Sequence, residues 1–249
     1  MSKSNEIKFT FVHIPKNAGT SIETLIEQKK VPNFEYVGHR FFQKKIKSDT
    51  IKVCIFRDPI DRFISAFYYS KREHPKSPSH RKFDNPNQLI DGLRQIEHPK
   101  HKAAMAYVGN KNPHNYRRFL KKTIPHKVGG VRTQHTWVFE HQITWYKHML
   151  NNDKTIYLDF DNLAEEFNSL IQTYLNSDSK TKTSKVIKLP HKNSTQKNKK
   201  FSSENLTPPN IQYLKDYYRE DYVHIEKIKE LYTLDKQLKR VLKTDNTSC

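Results

Sequence analysis

A chain of 249 residues can bury a sizeable core, and α/β folds of this length commonly form one domain, so a single domain over residues 1–249 is expected. Hydrophobic residues are 35% and charged residues 29%, but 14 Phe and 13 Tyr supply enough apolar area per side chain to exclude disorder of the whole chain. The formal net charge of +19 favours an anionic partner, whether nucleic acid, acidic lipid, sulfated or uronic-acid sugar, or a phosphorylated cofactor, and does not choose among them.

The first apolar run, IKFTFVHI from Ile7 to Ile14, is rich in β-branched and aromatic residues and predicts a strand. From Thr20 the segment TSIETLIEQKK places Ile22, Leu25 and Ile26 on one helical face. A second strand, Ile51 to Phe56, runs into RDPIDRFISAFYYSKR, where Pro59 suits a helix's first turn and Ile60, Phe63, Ile64 and Phe67 repeat at helical spacing. The proline-rich stretch Arg72 to Asn87 predicts a surface loop, and His98 to His148 forms a basic insert in which Glu140 is the one acidic residue. A third strand, Thr155 to Phe160, precedes a helix carrying Leu163, Phe167, Leu170, Ile171 and Tyr174. Lys180 to Phe201 is lysine-rich, acid-free and predicts a loop, and helices follow over about 207–243, with Pro208 and Pro209 in the start position. Strands alternating with helices predict the α/β class, a three-layer parallel sheet flanked by helices.

Two cysteines, Cys54 and Cys249, exclude a disulfide framework and a thiolate metal site and fit a reducing compartment. MSKSNEIKFT has no signal-like apolar core, and no window approaches the roughly 18 to 20 apolar residues of a membrane span. If the chain is complete, a cytoplasmic location is expected, with no membrane span. No closely spaced carboxylate, histidine or cysteine set has metal-ligand spacing, so no metal is expected.

Two loops carry the chemistry. Between the first strand and its helix, Lys16 supplies a point charge, Gly19 permits close backbone approach, and Thr20 and Ser21 supply hydroxyls, beside the unpaired amides of a helix start. The lysine precedes the glycine and the first glycine of G-x-x-x-x-G-K-[ST] is missing, which weakens magnesium-dependent phosphoryl transfer. In the second loop Arg57 sits at a strand end, where a guanidinium can grip a phosphate in two places, and Ser65 lies about two turns into the next helix. Arg57 could equally pair with Asp58 or Asp61, and Ser65 could be a small packing residue. Two anion sites at neighbouring strand ends imply a ligand with two separated anionic groups.

HIPKNAGTS resembles the 5′-phosphosulfate loop, and RDPIDRFISAFY the 3′-phosphate motif, of sulfotransferases that use 3′-phosphoadenosine 5′-phosphosulfate, in particular carbohydrate sulfotransferases of the uronosyl and chondroitin type. The resemblance implies a fold related to the nucleotide-kinase-like P-loop fold. It assigns Lys16, Asn17, Ala18, Gly19, Thr20 and Ser21 to the 5′-phosphosulfate, and Arg57 and Ser65 to the 3′-phosphate. VGHRFF looks like the Gly-His segment of uronosyl 2-O-sulfotransferases, which makes His39 the catalytic base. YLDFDNLAEEF looks like the family's late strand and helix, YREDYVHIEKI like its C-terminal signature, and LPHKNST like a loop closing over the donor through Lys192, Asn193 and Ser194. The segment from about Arg72 to Lys127 carries none of the motifs on which this resemblance rests and is where acceptor specificity is expected.

Sulfuryl transfer needs the acceptor proton removed, the two oxygens in line, and charge on the leaving phosphate neutralised. His39 suits the first task and Lys16 the last, while His13 is expected to shape the loop, and His135 and His141 are weaker base or acceptor-contact candidates. The expected acceptor is anionic or polar, a carbohydrate in class, and no nucleic-acid partner is expected. Two competing readings are a small-molecule kinase using ATP and magnesium, and a basic nucleic-acid-binding protein with aromatics among its cations, as in NYRRFLKK.

Overall fold

The computed structural model describes residues 7–31, 33–37, 50–108, 139, 141–146, 154–177, 187–190, 201–231, 234 and 236–238. The chain divides into two compact units, one of residues 1–57, 142–194 and 220–249, the other of residues 58–141 and 195–219.

Among the described residues the first unit holds a four-stranded, all-parallel sheet: β1 (Phe9–Val12), β2 (Phe34–Val37), β3 (Ile51–Phe56) and β4 (Thr155–Asp159), in the order β2-β1-β3-β4. Every residue of β1 and β3 is buried, as a parallel sheet covered on both faces requires. The sheet and its flanking helices bear out the α/β class. Helix α1 (Gly19–Glu27) connects β1 to β2, and the chain then returns to the other side of β1 to enter β3. This reversal puts the topological switch point at the carboxyl ends of β1 and β3, the place where open α/β sheets take ligands.

One sheet face buries Phe9 and Phe11 of β1, Val53 and Ile55 of β3, and Ile156 and Leu158 of β4 against helix stripes. Ile22 and Leu25 come from α1. Leu163, Phe167, Leu170, Ile171 and Tyr174 come from the helix after β4, Leu163–Ser177. Phe9 stacks on Phe34 at 4.6 Å between ring centroids and meets the edge of Tyr174 at 5.0 Å. β4 is one of the two edge strands, and a glutamine completes it: the Tyr157 N–H donates to Gln237 Oε1 at 2.7 Å, and Gln237 Nε2 donates back to the Tyr157 carbonyl at 3.1 Å. A side-chain amide thus substitutes for a neighbouring peptide and blocks an open edge.

The Tyr157 ring meets the edge of His224, which lies in the helix Arg219–Leu231. Loss of solvation, and secondarily the charge of Lys227, pushes the His224 pKa down to about 4. The folded state therefore holds this imidazole neutral while the unfolded chain protonates it at ordinary histidine pH. The unfolded state binds more protons in that window, so stability falls as pH drops from the usual histidine range toward 4. The unfolding temperature measured across this window is expected to fall, and His224→Gln to flatten part of that acid limb. An unchanged limb in the variant would assign the effect to carboxylates instead.

Among the described residues the second unit is helical: α2 (Pro59–Glu73), α3 (Pro86–Arg94), α4 (His101–Tyr107) and the helix Pro208–Tyr217. Asp58 caps α2 by accepting from the N–H groups of Ile60 and Asp61, and Asn85 caps α3 by accepting from Gln88, each followed by a proline in the first turn. The buried Tyr107 ring stacks on Phe67, and its hydroxyl donates to the Phe67 carbonyl at 2.8 Å.

Three elements depart from the sequence reading. β2 is absent from it, because FEYV is an edge strand with two exposed central residues and gives no apolar run. The expected loop from Arg72 to Asn87 contains a 3-10 turn, His80–Lys82, and α3 begins inside it at Pro86, where Asn-Pro is a helix start rather than a turn. The first strand is shorter than its apolar run, because His13 and Ile14 already belong to the loop.

Candidate active site

The loop that leaves β1 has an unusual backbone. Lys16 and Ala18 both take positive φ, 68° and 56°, while Asn17 between them does not. A left-handed conformation costs a residue with a Cβ roughly 1–2 kcal/mol, so something else must hold the loop, and such alternation turns successive N–H groups toward one concavity. Asn17 is the holder. It is 1% exposed, and its Nδ2 donates to the Ile55 carbonyl at 2.7 Å and to Gln142 Oε1 at 2.6 Å.

His13 supports the loop from below. A Cβ on Gly19 would lie 1.9 Å from His13 Cδ2 and 2.3 Å from Nε2, so only glycine lets this ring pack on the helix start. His13 Nδ1 lies 3.3 Å from Glu23 Oε2. Burial, and a hydrogen bond to the same Glu23, push the Tyr36 phenol up to about 12, so it stays protonated. Glu23 thus ties α1, the loop and β2 together.

The start of α1 is open in a way that α2 and α3 are not. Ala18 stands at its N-cap with no side-chain hydrogen bond, and no carboxylate occupies its first turn. An alanine cap leaves the helix dipole and the first amides to an external anion, whereas Asp58 and Asn85 close their own helices.

The loop that leaves β3 joins this one. Arg57 Nη1 donates to the Lys16 carbonyl at 3.1 Å, and the guanidinium lies over the Phe160 ring, 4.1 Å from its centroid. The Arg57 peptide is held on both sides by one side chain: its N–H donates to Gln142 Oε1 at 3.1 Å, and Gln142 Nε2 donates to its carbonyl at 2.7 Å. The backbone of Gln142 is itself fixed by Asp221, whose Oδ2 accepts from the Gln142 N–H at 2.9 Å and whose Oδ1 accepts from the Ile143 N–H at 2.8 Å. Asn17, Gln142 and Asp221 are all essentially inaccessible to solvent.

Of the residues singled out in sequence, Lys16, Asn17, Ala18, Gly19, Thr20, Ser21 and Arg57 therefore share one end of the sheet. Lys16, Ala18 and Thr20 are partly exposed. Ser21 is buried, and its hydroxyl donates to the Pro190 carbonyl at 2.7 Å, while Ile187 exchanges two hydrogen bonds with Asn168. The segment 187–190 is thus strapped from Asn168 to the start of α1. Ser65 lies on α2 in the second unit and is partly buried. His141, also in the second unit, is buried with its ring about 5 Å from those of Tyr217 and Tyr218. His39, His135, Lys192, Asn193 and Ser194 lie outside the described residues.

Sequence reasoning missed Gln142, Asp221 and Glu23. The only local signal was their company: Gln142 follows the aromatic run TWVFEH, and Asp221 lies in YREDYVHIEKI, a segment already resembling the sulfotransferase signature. Among the described residues no cluster of three or more His, Cys, Asp or Glu side chains is arranged to hold a metal ion, and no described helix is long and apolar enough to cross a membrane.

A family model described as the sulfotransferase family matches residues 4–235. The chain belongs to the sulfotransferase family. No curated protein and no solved structure gives a match. The match covers both loops and runs from β1 through the helix Arg219–Leu231, and so reaches into both compact units of this sulfotransferase. Family membership makes the chain a transferase whose chemistry is sulfuryl transfer. The open α1 terminus, the paired left-handed residues and the arginine at the end of β3 fit a ligand that presents more than one anionic group to this end of the sheet.

Proposed function

We propose that this protein transfers the sulfuryl group of 3′-phosphoadenosine 5′-phosphosulfate to a hydroxyl of a carbohydrate acceptor, working as one domain over residues 1–249. The observation that carries the reading is the direct tie between the two loops, Arg57 Nη1 on the Lys16 carbonyl, which keeps a phosphate-gripping guanidinium next to an anion-binding helix start. The backbone amides of Ala18, Gly19 and Thr20 and the Lys16 ammonium bind the 5′-phosphosulfate and neutralise charge on the leaving phosphate oxygen, while Asn17, whose N–H donates to the Ile14 carbonyl at 3.3 Å, serves by shaping the loop. Arg57, with Ser65 eight residues further along, takes the 3′-phosphate. Ser21 serves through its bond to Pro190, since its proton is committed there, and Lys192, Asn193 and Ser194, two to four residues beyond Pro190, complete the donor contacts. His39, two residues beyond the last residue of β2, removes the acceptor proton. The net charge of +19 supports an anionic acceptor.

Thermal unfolding with adenosine 3′,5′-bisphosphate, against ATP plus magnesium, tests this reading. A ligand at ~100 times its dissociation constant adds about 2.7 kcal/mol. Selective stabilisation by the bisphosphate without metal is expected, lost in Arg57→Ala and kept in His39→Ala, which instead loses turnover. Stabilisation by ATP and magnesium alone would replace the reading with a kinase, and full turnover in His39→Ala would move the base elsewhere.

A further inference from the structure

We infer that Gln142 is a positioning residue for the nucleotide donor: its side-chain amide locks the loop after β1 to the end of β3, so that the two anion-binding groups sit at one fixed separation. The inference rests on the donor reading above and adds to it a residue that touches neither anion. Gln142 is fully buried in the first unit, and each polar atom of its amide is used. Oε1 accepts from Asn17 Nδ2 at 2.6 Å and from the Arg57 N–H at 3.1 Å, and Nε2 donates to the Arg57 carbonyl at 2.7 Å. Asn17 is the residue between the two left-handed positions of the first loop, and Arg57 is the first residue after β3. The same amide therefore sets the path of both loops.

Its chemistry is specific to glutamine. A peptide that has left a strand has lost its ladder partners, and only a primary amide offers one acceptor and one donor in a plane to replace both. The Gln237 amide does the same for Tyr157 at the edge of β4 but touches no loop of the site, so it supplies an internal comparison for a purely structural glutamine. Gln142 differs in its additional bond to Asn17 and in having its own backbone fixed by the Asp221 carboxylate.

A ligand with two anionic groups gains from such a lock, because once one group is bound the second meets its site at a high effective concentration, and that gain disappears when the separation varies. The readout is therefore a ratio: the affinity for adenosine 3′,5′-bisphosphate divided by that for adenosine 5′-monophosphate, measured by calorimetry on the whole chain. The wild type is expected to favour the bisphosphate by about 100-fold, the low end of what linkage of two sites provides. In Gln142→Ala and in the volume-preserving Gln142→Met the ratio should fall to about 10-fold or less, whereas Gln237→Met should lower the melting temperature and leave the ratio unchanged. Hydrogen exchange on the wild type gives a second measure that needs no variant. The amides of Arg57, Gln142 and Ile143 should gain protection with the bisphosphate and less with the monophosphate. A wild type that does not distinguish the two nucleotides overturns the donor reading, and this inference with it. A wild type that distinguishes them while Gln142→Met keeps the full ratio, or while those amides show no added protection, overturns the inference alone.

Discussion

Replacing Gly19 with alanine is expected to reduce binding of adenosine 3′,5′-bisphosphate by about 100-fold, the scale on which a 1 Å misplacement in a site is felt. The new Cβ would stand 1.9 Å from an atom of the His13 ring, a distance no packing tolerates. The ring cannot simply swing away: it is 6% exposed and its Nδ1 lies against Glu23, so moving it breaks that contact and opens a gap beneath the loop. The alternative is for the start of α1 to shift outward, which displaces Ala18 and Lys16 from their left-handed positions. Overpacking of this kind costs typically 1–3 kcal/mol of stability, so the protein should still fold while the loop after β1 is distorted. Adding His13→Ala to Gly19→Ala removes the clash and should recover part of the affinity. Calorimetry on the two proteins decides the matter, and parent-like affinity in Gly19→Ala alone would show that the ring does not shape the loop.

The second large effect is expected at Asp221, far along the chain from either loop. Its carboxylate is wholly buried and accepts from two backbone N–H groups, those of Gln142 and Ile143. Hydrogen bonds to charged groups contribute roughly 1.5–3 kcal/mol each, and a buried N–H left without a partner costs a similar amount, so Asp221→Ala should destabilise the fold by about 3 kcal/mol or more. For a chain of this size the melting temperature then drops by on the order of 10 °C. Asp221→Asn keeps one acceptor and should lose about half as much. Because the same carboxylate fixes the backbone of Gln142, nucleotide binding should weaken in the asparagine variant even at a temperature where it is fully folded. Melting curves and nucleotide titrations on the two variants test both halves, and a melting temperature within a degree of the parent in Asp221→Ala would refute the account.

Both predictions bear on how this sulfotransferase holds the loop after β1 without the glycine-rich composition of the nucleotide-triphosphate loop. Here one glycine is used for close approach, and the two left-handed positions fall on lysine and alanine. The loop is shaped by its neighbours. Asn17, His13 and Gln142 supply the constraint that glycines elsewhere supply through conformational freedom.

The residue string alone determined the parallel α/β architecture, because a strand buried on both faces must read as a continuous apolar run, and IKVCIF and TIYLD do. It also determined the two loops, because an apolar strand that ends in lysine, glycine and hydroxyls, or in arginine, carries its chemistry within a few consecutive residues. Helix starts at Pro59 and Pro208 were legible for the same reason: capping is a local interaction. Only the tertiary structure decided which distant side chains hold those loops in place. Gln142 lies 125 residues from Asn17 and 85 from Arg57, and Asp221 another 79 beyond Gln142. No periodicity links such positions, since a buried amide or carboxylate chooses its partner by where the folded sheet delivers an unpaired peptide, and that location exists only after the strands have aligned.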